Sequence, residues 1–178
     1  QQKDVIHGFS TKDDGNMSFV WGNAKEVAQN RKKFFESLDI PTESGATISL
    51  VHGADIIHVI KQDVHLGTAN KIIADADAMM TAEKSVYLFI LTADCLPILF
   101  YDPVRSVIAL AHCGWKSTDQ KLARKGVGEI VSHYNSDPKN IIVGIGPGIH
   151  KELYIKKSDF LGNHEQEVPS AWAPFIID

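Results

Sequence analysis

The chain has 178 residues, of which 44% are hydrophobic and 22% are charged, and its formal net charge is −4. Because domains average roughly 150 residues, we expect one domain over residues 1–178. These fractions exclude disordered, collagenous and coiled-coil classes. The slightly acidic balance lacks the positive charge that nucleic-acid binding requires, so we expect a globular domain with no nucleic-acid partner.

The sequence carries no sign of a disulfide scaffold or of a membrane segment. Its two cysteines, Cys95 and Cys113, are too few for such a scaffold. The apolar run Tyr87–Leu91 is far shorter than the about 20 residues that span a bilayer. No basic segment followed by an apolar one opens the sequence. We expect a cytoplasmic protein without membrane contact, present as a monomer or a weak homo-oligomer.

The first predicted element is an amphipathic helix over Asn23–Leu38. Asn23 is a good N-cap, and Glu26 follows three residues later, as in a capping box. Four apolar side chains recur on one face of this helix: Val27, Phe34, Phe35 and Leu38. Pro41 ends it.

Strand-like runs follow the first helix. Thr47–Val51 and Ile56–Ile60 flank the turn-like segment Gly53–Asp55, which predicts a hairpin. A second hairpin is predicted around the turn residues Asp102 and Pro103. The strands of this hairpin are predicted at Ile98–Tyr101 and Val107–Ala111. A further apolar strand is predicted at Val86–Leu91, a second helix at Thr118–Tyr134 and a buried last strand at Ile141–Ile145.

Three residues that bind metals in proteins each end a strand-like run: His52, Cys95 and His112. Side chains at neighbouring strand ends converge at a sheet rim, where we expect these donors within roughly 4 Å of one another. Two imidazoles and a thiolate suit zinc with an open fourth position, and copper competes for the same donors. The separations of 43 and 17 residues match no short zinc signature. A buried structural cysteine and hydrogen-bonded histidines therefore remain the alternative.

Carboxylates next to these positions are further candidates. Asp94 precedes Cys95 and is placed either to orient a ligand histidine or to act as a general base, with a turn-capping role as the alternative. Asp75 and Asp77 are interpreted as loop and strand-start residues. Whether one or both of them face the site is left open.

The segment from Gly114 to Thr118 joins the His112 strand to the second helix. Lys116 and the backbone N–H groups at the start of that helix, including those of Ser117 and Thr118, predict an anion site. Trp115 is placed to stack on a planar base, although core packing is the more common role of such a tryptophan.

These residues together resemble a family known variously as multicopper polyphenol oxidase, laccase-domain protein or purine nucleoside phosphorylase. The match runs in order from about residue 7 to about residue 154, and the pair Asn30-Arg31 in the first helix also fits. The motifs that carry it are HGFST at 7–11, VHG at 51–53, DADAMMT at 75–81, TADCLPILFYDP at 92–103, AHCGWK at 111–116 and IGPGI at 145–149.

The resemblance implies a fold, a metal site and a reaction. The fold is α+β, a layered α/β sandwich with mixed sheets similar to toxin-type cysteine deamidases such as cytotoxic necrotizing factor. His52, Cys95 and His112 hold the metal. The activity is phosphorolysis of adenosine, inosine, guanosine or methylthioadenosine with inorganic phosphate, and deamination of adenosine. Asp94, Cys95 and His112 are the candidate catalytic residues, and Arg31, Trp115, Lys116 and Ser117 are the candidates for binding substrate or phosphate.

The sequence departs from the family pattern at several points. Cys113 stands where a small residue is usual, which predicts an extra thiol near the metal. Lys116 replaces a common arginine and so offers a point charge instead of a bidentate grip. Glu152–Ile155 replaces the usual Cys-Cys-Tyr-Glu stretch. The family also continues with a helix and an aromatic-Arg strand, so we expect this chain to lack C-terminal elements and to leave a sheet edge or core flank uncovered.

Three other functions compete with this one. A multicopper oxidase needs several His-x-His pairs, and the eight histidines of this chain form none. The second alternative is a metal-free hydrolase or deamidase with Cys95 as nucleophile and His112 as base. A catalytically silent scaffold is the third. Chelation separates the second alternative from a zinc enzyme, because a metal-free enzyme stays active.

Overall fold

The computed structural model describes residues 5–64 and 72–150. Its first helix, α1 (Ala24–Ser37), confirms the prediction. The side chain of Asn23 accepts hydrogen bonds from the backbone N–H groups of Lys25 (3.0 Å) and Glu26 (3.3 Å), which caps the helix. No helix in the described ranges has the length and apolar character needed to cross a bilayer.

Seven strands lie in the described part of the chain, and they form a parallel pair and a five-stranded mixed sheet. The strands are β1 (Gly45–Thr47), β2 (Ile56–His58), β3 (Ala78–Thr81), β4 (Tyr87–Phe89), β5 (Leu96–Asp102), β6 (Val107–Cys113) and β7 (Ile142–Ile145). The pair is β1-β4, and the order in the larger sheet is β2-β3-β6-β5-β7. Mixed sheets with few helices confirm the predicted α+β class.

The hairpin of β5 and β6 is confirmed, with Leu96 opposite Cys113 and Asp102 opposite Val107. Asp102 closes its turn because one carboxylate oxygen accepts hydrogen bonds from the N–H groups of Val104 (2.8 Å) and Arg105 (3.2 Å). This is local turn chemistry, in which an aspartate binds backbone groups two or three residues ahead.

The hairpin predicted between Thr47–Val51 and Ile56–Ile60 is wrong. β1 pairs in parallel with β4, and β2 pairs in parallel with β3, so the two strands belong to different sheets. After β1, the backbone of Ser49 donates to Ala74 (2.9 Å) and accepts from Ala76 (3.0 Å). The segment therefore satisfies its hydrogen bonds on a distant stretch of chain and not on its sequence neighbour.

The helix predicted over Thr118–Tyr134 is two helices, α2 (Trp115–Asp119) and α3 (Leu122–Tyr134). Lys121 separates them in a left-handed conformation with a φ of 61°, which interrupts the helical path. The apolar face of α3 packs on the five-stranded sheet, with Leu122 and Ile130 fully buried.

Both faces of the five-stranded sheet carry buried side chains. Met80 of β3 points into the cluster beneath α3, whereas its neighbour Met79 points into a second cluster on the opposite face. This alternation is the period of two of a strand and builds the layered sandwich.

The last strand differs from its prediction. β7 pairs with β5 on one side only, and its residues are exposed, with Val143 at 50% and Ile145 at 51%. The prediction of a buried strand is wrong because β7 is the edge of the sheet formed by the described residues. The replaced stretch Glu152–Ile155 lies outside those residues.

Candidate metal centre

The structure brings His52, Cys95 and His112 together. Their ligand atoms all lie within 4.8 Å of one another, slightly wider than the roughly 4 Å expected. His52 lies on the loop after β1, Cys95 directly precedes β5, and His112 lies on β6. Pro97 of β5 is opposite His112, so Cys95, two residues before Pro97, falls on the same face as His112.

A buried carboxylate holds the imidazole of His112. Asp77 is fully buried, and its Oδ1 lies 2.9 Å from Nδ1 of His112. A carboxylate only accepts hydrogen bonds, so Nδ1 carries the proton and Nε2 keeps its lone pair for a ligand. This is the arrangement by which proteins orient metal-binding histidines.

The same carboxylate positions the His52 loop. Asp77 accepts hydrogen bonds from the backbone N–H groups of Val51 (3.3 Å), His52 (3.0 Å) and Gly53 (2.6 Å). His52 itself has a φ of 59°, an uncommon conformation for a residue with a side chain. Asp77 therefore fixes the loop of one candidate ligand and the ring of another.

Sequence reasoning missed this role of Asp77, for which Asp94 was the candidate. Asp77 lies between the buried residues Ala76 and Ala78 at the start of a strand that is itself buried. A carboxylate in such a position needs hydrogen-bond partners that are buried with it. Its place between residues of a buried strand was the signal from which the role of Asp77 could have been found.

The thiol of Cys95 is half-buried between carboxylates. Burial raises its pKa first of all, and the negative charges of Asp94 and Asp77 raise it further. The free thiol is therefore held in its protonated form, and a bound cation is the natural way to stabilise the thiolate.

Cys113 is not a further donor at this centre. Its side chain belongs to the hydrophobic cluster beneath α3, with 5% exposure. Burial, followed by the charges of Asp77 and Cys95, raises the pKa of Cys113 to about 12. The expectation of a second thiol near the metal fails because successive side chains of β6 point to opposite faces of the sheet.

Gly114 leaves room for the converging side chains. A Cβ placed on this residue would lie 2.9 Å from Sγ of Cys95 and 3.3 Å from Cδ2 of His52. The first distance is shorter than van der Waals contact allows. A glycine is therefore required here for space, since its φ of −77° is open to other residues.

Asp94 is exposed at the rim of the centre. Its backbone carbonyl accepts a hydrogen bond from the N–H of Ile149 (2.9 Å), which ties the loop after β7 to this rim. Its carboxylate is close enough to act on the pKa of Cys95. Its role as a general base stays a prediction.

The segment after His112 offers fewer anion-binding groups than predicted. Lys116 is exposed, and its Nζ lies 5.5 Å from the ring centroid of the half-buried Trp115. Ser117 is fully buried, and the N–H of Thr118 already donates to the carbonyl of Gly114 (2.9 Å). Lys116 is thus the accessible cation for the predicted anion site.

Arg31 occupies a buried position on α1. Its Nε donates to the carbonyl of Met17 (2.8 Å), and its guanidinium lies 4.5 Å from the ring centroid of Phe19 and 5.0 Å from that of Phe89. Burial lowers its pKa to about 10. These contacts describe a packed arginine, and its part in substrate binding stays a prediction.

A cavity of about 1000 Å³ adjoins the rim at Asp94. Apolar side chains from both the sheet and α1 line most of it, and His7, Asp94 and His150 are among its polar lining residues. A mostly apolar cavity with a few polar groups is typical of small-molecule sites.

The chain is similar to known proteins over most of its length. A family model described as multi-copper polyphenol oxidoreductase laccase matches residues 6–177. "Purine nucleoside phosphorylase YlmD" of Bacillus subtilis is 30% identical over 164 residues, covering 85% of this chain and 59% of the relative. "Purine nucleoside phosphorylase" of Deinococcus radiodurans is 31% identical over 159 residues, covering 84% and 59%. The chain thus spans about three-fifths of the length of these relatives.

Solved structures show the same fold. The crystal structure of YlmD from Geobacillus stearothermophilus matches with a TM-score of 0.73 and 34% identity, covering 76% of this chain and 51% of that one. That of the Bacillus licheniformis hypothetical protein YfiH also gives 0.73, with 30% identity and coverages of 76% and 52%.

Proposed function

Since the chain belongs to the multi-copper polyphenol oxidoreductase laccase family, we propose that it is a zinc-dependent purine nucleoside phosphorylase. Its substrates are adenosine, inosine, guanosine or methylthioadenosine with inorganic phosphate, and adenosine deamination is a side activity. The observation that carries this proposal is the convergence of His52, Cys95 and His112 around one point. The names of the relatives support the reaction class.

The donor set fits a zinc ion. Two imidazoles and one thiolate are common zinc ligands, and three protein ligands leave a position for water or substrate. Asp77 keeps Nε2 of His112 available, and Gly114 leaves space between Cys95 and His52. When bound, zinc supplies a Lewis acid that polarises an oxygen of the substrate or lowers the pKa of water. A single three-donor set suits one ion and does not provide the ligands of a multicopper cluster.

The residues of the chain carry the other parts of phosphorolysis. A phosphate oxygen attacks C1′ of the ribose, the C1′–N9 bond breaks, and its electron pair moves to the purine. Lys116 binds the phosphate by charge, and the neighbouring Trp115 stacks on the base. Asp94, as the general base, takes the proton of the attacking phosphate and passes it to the leaving purine. The cavity that adjoins Asp94 has room for the rest of the nucleoside.

A metal-free cysteine enzyme is the second candidate. The contact between Asp77 and His112, with Cys95 nearby, is the order of groups that activates a nucleophilic cysteine. The surroundings of Cys95 oppose this function, because burial and the negative charges of Asp94 and Asp77 all raise the pKa of its thiol. A nucleophilic cysteine needs the opposite shift.

The test is turnover of the purified 178-residue protein after chelation and after reconstitution with zinc or copper. A panel of the four nucleosides is incubated with and without phosphate, and free base, sugar phosphate and ammonia are measured. We expect release of base that requires both phosphate and zinc. Full activity in the chelated protein would support the cysteine enzyme, and no turnover with any metal would support a silent scaffold.

A further inference from the structure

A second group of metal-binding side chains lies on the edge of the sheet formed by β2. His58 of β2 meets Glu129, His133 and Tyr134, which lie on the C-terminal half of α3. We name these four residues the sheet-edge cluster. None of them belongs to the His52–Cys95–His112 centre, and the proposed phosphorylase reaction does not use them.

The ring of His58 is held on three sides. Its Nδ1 lies 3.2 Å from the hydroxyl of Tyr134, and its Nε2 lies 3.5 Å from Oε2 of Glu129. Its ring centroid is 3.9 Å from that of His133, with 37° between the ring planes. The side chain of His58 is 29% exposed and that of Glu129 is 48% exposed, so the cluster is open to solvent.

The separation between His58 and Glu129 is long for a hydrogen bond, and it also fits two ligands of one ion. A charge-assisted N–H···O contact is about 2.7–2.9 Å long. Two ligand atoms bound to a tetrahedral ion at about 2.0–2.1 Å are about 3.4 Å apart. The observed 3.5 Å is close to the second value.

His133 supplies the third donor. It follows Glu129 by four residues, so the two side chains share one face of α3. His133 is exposed, so its ring can rotate toward the space between His58 and Glu129. A rotation is needed because, in residues 5–64 and 72–150, His52, Cys95 and His112 are the one group of three whose ligand atoms already converge closely enough to hold an ion.

Two further features favour an ion at this place. When Nδ1 of His58 donates to the hydroxyl of Tyr134, Nε2 keeps its lone pair toward Glu129. A groove of about 680 Å³ beside the cluster, lined in part by Asp55 and Ser132, gives access for the ion and its water ligands.

From this geometry we propose that His58, Glu129 and His133 form a second divalent-metal site, for a late first-row ion such as Ni²⁺ or Zn²⁺. Two imidazoles and a carboxylate without a thiolate suit these ions. The site binds more weakly than the His52–Cys95–His112 centre, because its donors are more exposed and one of them must reorient. Occupancy ties the edge strand β2 to α3.

The test is a titration of zinc-loaded protein, containing one equivalent of zinc, with Ni²⁺. Calorimetry measures the stoichiometry, and long-range ¹H–¹⁵N spectra of the histidine rings report which imidazoles respond. We expect one further equivalent of Ni²⁺ that perturbs His58 and His133 and leaves His52 and His112 unchanged. A titration without a second binding event, or one that leaves the signals of His58 and His133 unchanged, would overturn the proposal.

Variants separate this site from the first. His133→Gln and Glu129→Gln should weaken the second event at least tenfold, and Tyr134→Phe, which removes no donor, should weaken it by roughly tenfold. His7→Gln, a change at an exposed histidine outside the cluster, is the matched control. Cys95→Ala should leave the second event in place even if the proposed phosphorylase activity proves wrong. Equal Ni²⁺ affinity in the His133→Gln variant and its control would contradict the assignment.

Discussion

The two histidine groups in the described part of the chain both set an imidazole beside a carboxylate, yet their surroundings differ. At the His52–Cys95–His112 centre, Asp77 is fully buried, touches Nδ1 of His112 at 2.9 Å and also accepts three backbone N–H groups. In the sheet-edge cluster, Glu129 is half-exposed and lies 3.5 Å from His58. A buried carboxylate with several donors organises a whole site, whereas an exposed one only lies near its partner.

The largest effect is expected from removing the thiolate at the organised centre. Cys95→Ala should abolish zinc binding and turnover together while leaving the fold intact, because the thiolate supplies both charge and softness. Cys95→Ser should be nearly as damaging, since a neutral hydroxyl is a poor zinc ligand. Metal analysis and the nucleoside assay measure both properties.

Cys113→Ala is the matched control for this change. It removes the other cysteine, which packs beneath α3 and is not a donor at the centre. This variant should keep its zinc and lose only some stability from the small cavity. Stoichiometric zinc and full activity in Cys95→Ala would exclude the assigned centre.

Asp77→Asn tests the organising role directly. The amide cannot accept from Nδ1–H of His112 and from three N–H groups with the strength of a carboxylate. We expect zinc affinity to fall roughly 10–100-fold and the free energy of unfolding to fall by roughly 2–3 kcal/mol. Competition with a fluorescent chelator and urea unfolding give the two values.

The exposed Asp75, two residues away, provides the control for Asp77. Asp75→Asn should change zinc affinity little. If the two variants behaved alike, Asp77 would contribute only general negative charge and not orientation.

Gly114→Ala should act through space alone. The new methyl group would lie 2.9 Å from Sγ of Cys95, so the thiol or the His52 loop must move. We expect zinc affinity to fall roughly tenfold, in line with other changes that disturb the position of a ligand, while far-UV circular dichroism is unchanged. Gly128→Ala adds a methyl group with no atom within 4 Å and should stabilise α3 by up to about 1 kcal/mol without affecting zinc.

The smallest effect concerns the pH at which Cys95 reacts. Burial and the charges of Asp94 and Asp77 raise the pKa of its thiol, so the metal-free protein should react with iodoacetamide only as the pH rises above the range of a free cysteine. Asp94→Asn removes one negative charge, lowers this pKa and moves the alkylation profile to lower pH. A profile unchanged by this variant would show that Asp94 does not act on the thiol.

The sequence predicted those features that depend on local signals. The cap at Asn23 and the turn at Asp102 are made by side chains that bind backbone groups two or three residues ahead, and both were identified. The convergence of His52, Cys95 and His112 was expected chiefly from the family motifs, because the strand-end positions alone left a structural cysteine and hydrogen-bonded histidines as the alternative.

The features that escaped prediction depend on contacts between distant residues. Asp77 binds the His52 loop across 24 to 26 residues and His112 across 35. Parallel pairing of β1 with β4 and of β2 with β3 has no turn sequence to announce it. The exposure of β7 follows from its place in the strand order, which no local pattern specifies.

The central claim is that His52, Cys95 and His112 hold one zinc ion, and X-ray absorption at the zinc edge of protein containing one equivalent tests it most directly. The account predicts one sulfur neighbour at about 2.3 Å and two imidazole nitrogens at about 2.0–2.1 Å, and no zinc retained by Cys95→Ala. A spectrum of the unaltered protein with only nitrogen and oxygen neighbours would contradict it.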